Sequence, residues 1–276
     1  MKVFAIVMCV CLVGATAASG AYSTGFESIV ASPAGTVLTG QDGYYIPSGT
    51  TSVDFLAYTY AGNALGLPAN PTGGLQFVGG TGPANSTYAR AQRDVDFSGN
   101  SVWTIAYDFC ATYMGSGVSA NNIGSFSVQN GVATGVYINL MAWIDPNVPT
   151  TYNASFLPYD SGGVQFAQPG VTPGPAWEGL EINHWYHNHT VIDLVSNVIM
   201  EVVIVDLETM QESVYYPSGW YLEGGTAGLT YPPFGFRFFG GGGVAGNTLA
   251  FDNMSVSPGV SAVEMTSWGA IKASFR

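Results

Sequence analysis

The chain has 276 residues, with 6 Lys and Arg against 18 Asp and Glu and a formal net charge of −12. Only 9% of the residues are charged, far below the roughly 25% usual in globular domains. So few cations exclude a nucleic-acid groove, whose affinity rests on Lys and Arg neutralising phosphates and releasing counterions. The 37 Gly, 16 Tyr and 15 Phe suit strands joined by turns rather than helices.

In chain order, the first pattern has three parts: the basic start Met1-Lys2, an apolar run from Val3 to Val13, and small residues from Gly14 to Ala21. It reads as a secretory signal peptide over 1–21, with cleavage after Ala17 or Ala21. The apolar run is too short to span a bilayer. Cys9 and Cys11 lie inside it rather than at the cleavage region, which argues against lipidation. Processing would leave Cys110 as the single cysteine, so an internal disulfide is excluded and the core has to hold by apolar burial, with a metal as a further aid. No later segment reaches the roughly 18 uninterrupted apolar residues of a transmembrane helix, and the expectation is a secreted or cell-surface protein.

Period-two segments bounded by Gly, Pro, Asn and Ser follow. They are Val53–Tyr60, Tyr88–Phe97, Val102–Tyr113, Val136–Trp143, Asn197–Leu207, Gly235–Phe239 and Thr248–Val256. Within 102–113, Trp103, Ile105, Tyr107, Phe109 and Tyr113 share one face; Thr104, Ala106, Asp108, Cys110 and Thr112 share the other. Turn signals lie at 68–74, 79–83, 115–117 and 169–175, and the run Gly240–Gly243 reads as a wide hairpin loop. The spacing predicts one all-β domain over 22–257, a β-sandwich of two stacked antiparallel sheets. A tail over 258–276 follows, carrying Trp268, Lys272 and Arg276.

The opening Gly25-Phe26-Glu27, the following Gly40-Gln41-Asp42-Gly43-Tyr44 and the closing run from Asn247 to Val256 resemble the two ends of LamG-like domains of exported bacterial proteins. These domains belong to the concanavalin A-like lectin/glucanase superfamily. The run His184-Trp185-Tyr186, with Val191 to Leu194 and Asn197-Val198-Ile199, is similar to their late pair of strands. The resemblance implies a curved, concanavalin A-like jelly roll, often used to bind carbohydrate and sometimes catalytic. The ending from Trp268 to Arg276 resembles a short terminal tag of exported proteins from environmental bacteria.

Glycoside hydrolysis needs two carboxylates flanking the bond, about 5–9 Å apart. Laminarinase-like members of the superfamily carry Glu-x-Asp-x-x-Glu on one strand, and this sequence lacks it. The nearest pairs, Asp94/Asp96 and Asp206/Glu208, read as solvated strand faces. All three histidines fall within 184–189; in an extended strand His187 and His189 share a face, a spacing that suits one transition-metal ion, although no nearby carboxylate is evident to complete the shell. Glu27 near the first strand and Asp252 in the last are candidate calcium ligands, because first and last strands tend to be neighbours in a jelly roll and calcium takes hard oxygen donors. Trp143 and Trp185, with Asn139 and Asn183, supply the ring faces and amides that pyranose recognition uses. The expected function is a non-catalytic carbohydrate-binding or surface/matrix protein whose partner is an extracellular polysaccharide or cell-surface glycan. The alternatives are a hydrolase or lyase with an atypical site and a purely structural envelope protein.

Overall fold

The computed structural model describes residues 21–83, 87–115, 122–132, 134–143, 145, 147, 150–165, 177–242 and 244–259. The expected signal peptide up to residue 20, the turn at 169–175 and the tail beyond 259 lie outside the described residues. In chain order the first strands are β1 (Tyr22–Thr24), β2 (Thr36–Val37), β3 (Ser52–Asp54), β4 (Leu56–Thr59), β5 (Gln76–Thr81), β6 (Tyr88–Asp94), β7 (Val102–Tyr113) and β8 (Asn122–Asn130). They continue with β9 (Gly135–Trp143), β10 (Thr151–Leu157), β11 (Leu180–Glu181), β12 (Tyr186–Asp193), β13 (Val198–Asp206), β14 (Glu212–Tyr215), β15 (Pro233–Gly240) and β16 (Asn247–Pro258). Among the described residues the one helical element is a 3₁₀ turn, Gly225–Ala227.

Two sheets stack face to face, as the alternating pattern predicts. The first runs β14-β13-β12-β7-β16-β5-β4-β2, with β1 joined to β16; the second runs β11-β10-β9-β8-β15-β6-β3. Pairings are antiparallel except β3 with β6, which is parallel. The core between the sheets is aromatic. Tyr107 of the first sheet lies 4.4 Å from the Phe126 ring of the second, and Phe238 stacks 4.3 Å from Phe251, within the range in which ring pairs add to area burial. On β7 the inward residues are Trp103, Ile105, Tyr107, Phe109 and Ala111.

The first sheet is apolar on its second face as well. Tyr58, Leu65, Leu67, Phe77, Cys110, Trp185, Leu207 and Ala250 form a smaller cluster there, under the segment that follows β4. Its strand residues come from β4, β5, β7 and β16, which are therefore covered on both faces at these positions.

Two expectations need correction. The segment 53–60 is not one strand: it breaks at Phe55, placing β3 in the second sheet and β4 in the first. The buried Phe55 ring fills the corner against Phe238 and Phe251. The glycine run at 240–243 is not a hairpin loop, because it links β15 of one sheet to β16 of the other. A Cβ on Gly241 would collide with Gly82, and its φ of 85° suits glycine alone.

The aromatic core carries a direct test. Phe126 contacts Tyr107, Tyr137, Phe236 and Phe238 and is fully buried, so Phe126→Ala should lower the unfolding free energy by about 3–5 kcal/mol in urea titrations. A loss below about 1 kcal/mol, the range of surface substitutions, would contradict this packing.

Candidate functional site

Antiparallel register places residues of adjacent strands side by side, and one rung of the first sheet gathers Val205, His187, Asp108 and Asp252 from β13, β12, β7 and β16. All four follow the outward phase of their strands. Immediately after Asp252 the β16 register shifts, and Asn253 takes a left-handed φ of 46°, a conformation that asparagine tolerates better than most residues. At this bulge β16 exchanges its partner β5 for β1. The kink also turns the Asn253 amide onto the rung.

Asp108 and Asp252 are both buried. Oδ1 of Asp108 hydrogen-bonds His187 Nδ1 at 2.6 Å. Its Oδ2 accepts from Asn70 Nδ2 at 2.7 Å, Thr72 Oγ1 at 2.9 Å and Asn253 Nδ2 at 2.7 Å. Asp252 Oδ2 accepts from the Tyr60 hydroxyl at 2.8 Å and from the same Asn70 amide at 3.2 Å, while its Oδ1 takes the Asn253 backbone N–H. Amides, hydroxyls, a backbone N–H and an imidazole thus surround the two carboxylates, with no Lys or Arg bonded to them among the described residues. Two buried carboxylates on one rung resist double ionisation, and burial, reinforced by the neighbouring Asp108, pushes the Asp252 carboxyl up to about 7.

The three imidazoles each meet acids. His184 lies 2.9 Å from Asp206 and 3.5 Å from Glu208, and His189 lies 3.9 Å from Glu201. The expectation that no carboxylate lies near the histidines is therefore corrected: pairing with β7 and β13 supplies them. His187 and His189 do share the outward face, as the alternation requires, but among the described residues no three His, Cys, Asp or Glu side chains converge as metal ligands. Burial, with His187 adding to it, pushes the His189 imidazole down to about 4.

Glu27 and Asp252 flank one segment. A Cβ on Gly73 would collide with Asp252 Oδ2, and one on Gly74 with Glu27 Oε1. Glu27 Oε1 accepts the backbone N–H groups of Leu75 and Gln76. The residues expected to meet sugar lie elsewhere. Trp143 is buried with its Nε1 on Asn247, Trp185 is buried with its Nε1 on the Pro68 carbonyl, and Asn139 is buried, donating to the Tyr107 hydroxyl. Their rings and amide serve the interior, and of the four only Asn183 is exposed, in a left-handed turn with φ 56°. The acid pairs also have local partners: Asp94 accepts from Tyr45, Asp96 from the Ser98 N–H, and Asp206 from the N–H groups of Glu208 and Thr209.

A second constellation escaped the sequence reading. On the outward face of the second sheet, register aligns Gln92, Arg237 and Ser127 on one rung and Arg90, Phe239 and Ser125 on the next. Gln92, Ser125, Ser127, Gln129 and Arg237 are buried, whereas Tyr45, Tyr88, Arg90 and Phe239 around them are half-buried. The strip therefore has a polar floor and an aromatic margin. Inward alternation of Ala89, Ala91, Phe126, Val128, Phe236 and Phe238 into the core is the signal that could have revealed it.

No protein-family model matches the sequence, and no curated protein matches it. Solved structures match its shape. The alginate lyase Aly36B is 12% identical over 87% of this chain and 97% of its own, with a TM-score of 0.47. The cellulose-induced protein Cip1 is 12% identical over 86% and 97%, also with a TM-score of 0.47. A sialidase is 11% identical over 87% of this chain, which spans only 18% of the sialidase, with a TM-score of 0.42. Similarity at these levels transfers neither activity nor substrate.

The titrating pair on the first sheet makes stability depend on pH in opposite senses. An acid whose pKa is higher in the folded state holds an extra proton there, so the Asp252 contribution is lost as pH rises from about 4 to about 7. His189, held below its ordinary value of 6.5, loses its contribution as pH falls from there towards 4. Relative to the parent, His189→Asn should become less stable towards pH 7, and Asp252→Asn less stable towards pH 4. Urea midpoints at pH 4, 5.5 and 7 check this, and parallel profiles for the two variants would contradict it.

Proposed function

We propose that this chain is an exported, non-catalytic carbohydrate-binding protein of the LamG-like, concanavalin A-like type, holding an extracellular or cell-surface glycan on the outward face of the second sheet. The observation that carries the reading is the strip over β6, β15 and β8. Its amides and hydroxyls, Gln92, Gln129, Ser125 and Ser127, form a floor among half-buried Tyr45, Tyr88 and Phe239. Pyranose faces cover half-buried rings of this kind, and the buried Gln92, donating to the Tyr45 hydroxyl at 2.6 Å, fixes one of them from below.

A catalytic reading would draw on the other sheet, where the His187–Asp108 pair stands beside an Asp252 carboxyl held near neutrality, a combination able to move protons. Binding is preferred because Asp108 and Asp252 are buried and engaged by Asn70, Thr72, Asn253 and Tyr60, whereas the Tyr45, Tyr88 and Phe239 rings of the strip are half-buried and open to a ligand. A glycan array combined with a reducing-sugar assay separates the readings. Binding without new reducing ends is expected, together with a roughly ten-fold weaker affinity, about 1.4 kcal/mol, in Tyr88→Ala. Turnover abolished by Asp108→Asn would replace binding with catalysis.

Calcium is the proposed stabiliser of the joint between the first and last strands. Glu27 and Asp252 would hold it, with amide and carbonyl oxygens of 70–74 completing a shell of about six to eight oxygens. Close approach of Gly73 and Gly74 to the two carboxylates supports the assignment. Melting should fall by several degrees in EDTA. Asp252→Ala should abolish that difference and His187→Ala preserve it, imidazole being a poor calcium ligand. An EDTA-insensitive melt would remove the metal.

A further inference from the structure

In a chain of net charge −12, cations without acidic partners stand out. Three arginines lie among the described residues. Arg93 points onto the Tyr22 ring, 3.8 Å away, and pairs with Asp42 at 3.3 Å. Arg90 and Arg237 instead share the outward face of the second sheet, on diagonal positions of β6 and β15. Among the described residues neither forms an ion pair with a carboxylate.

Both guanidinium groups lie over one ring: Phe239 is 5.3 Å from Arg90 and 5.5 Å from Arg237, and Tyr88 is 4.8 Å from Arg90. Arg237 is only 7% exposed, and its Nε donates to Gln92 Oε1 at 2.7 Å. Arg90 Nη1 donates to Ser52 Oγ at 2.5 Å, while its Nε has no acceptor among the described residues. Gln129 Oε1, beside them and buried, likewise has no donor there. Burial, and then the nearness of Arg90, pushes Arg237 down to about 10. Two like charges, one buried and one half-buried, are thus held close together, an arrangement that an arriving anion relieves.

We infer that this strip takes an acidic glycan, a chain of uronate residues whose carboxylates are gripped by Arg90 and Arg237 while the half-buried Tyr88 and Phe239 rings cover the sugar faces and the buried Gln92 holds Arg237 in place. The inference rests on the glycan-binding reading above and names its ligand class. A planar carboxylate matches the guanidinium fork with two parallel hydrogen bonds. Polyphosphate chains are disfavoured, because two cations on a strongly negative protein cannot neutralise a phosphate backbone.

The test is titration calorimetry of the whole chain with oligogalacturonate, with the same oligomer fully methyl-esterified, with a neutral glucan and with a sulfated glucan. Oligogalacturonate should bind, weaken steeply with salt and lose at least ten-fold on esterification. Arg237→Gln and Arg90→Gln should each lose ten-fold or more. Arg237→Lys should keep the salt dependence yet bind more weakly than the parent. Arg90 is half-buried, so its substitution reports on binding even where Arg237→Gln disturbs the fold. Equal affinity for acid and ester, a preference for the sulfated or neutral chain, or arginine variants that bind like the parent would overturn the uronate assignment and leave glycan binding standing. Silence towards every glycan on a broad array would overturn both.

Discussion

Asp108 and Asp252 face each other across the central β7/β16 pair, buried and without a cation from the chain beside them. Much of the first sheet's outward face is organised around that difficulty. The segment after β4 delivers Tyr60, Asn70 and Thr72, the bulge in β16 delivers Asn253, and β12 delivers His187. Each brings a donor, because a buried carboxylate left without one costs far more than any single hydrogen bond returns. The same loop lays Leu65 and Leu67 over Phe77 and Trp185, so the polar requirement and the apolar cover are met by one stretch of chain.

The sandwich was legible because its signal is local. Alternation in 102–113 sorts Trp103, Ile105, Tyr107 and Phe109 from Thr104, Asp108 and Cys110, and the structure sorts them the same way. In β8 the alternation is short, Phe126 and Val128 inward between Ser125, Ser127 and Gln129, and it follows the small residue Gly124. The break at Phe55 was invisible because a strand that changes sheets keeps its period of two while its partners change.

The sites were less legible because they are made by register. His187 meets Asp108, 79 residues away, and Arg237 meets Gln92, 145 residues away; neither pairing has a trace in local spacing. Tryptophans were a poor guide to a binding face, since Trp143 and Trp185 use their N–H groups on buried acceptors and contribute their area to the interior. The outward faces of the two sheets also differ in electrostatic character. One concentrates two buried carboxylates, the other two arginines that form no ion pair among the described residues. Such a separation gives a negatively charged molecule a preferred side to present to an anionic polymer.

The position of β16 has a consequence for how the molecule comes into being. Among the described residues it is the last strand made, yet it occupies the middle of the first sheet: β7 lies on one side, β5 and β1 on the other, and Tyr22 registers with Val256. Until Asn247–Pro258 has left the ribosome, β5, β4 and β2 have no link to β7, β12 and β13, and each fragment exposes an unpaired edge. Completion of the sheet is therefore deferred until Asn247–Pro258 is available. Pairings this distant in sequence close slowly, so a chain lacking Asn247–Pro258 would leave the β5 and β7 edges unpaired.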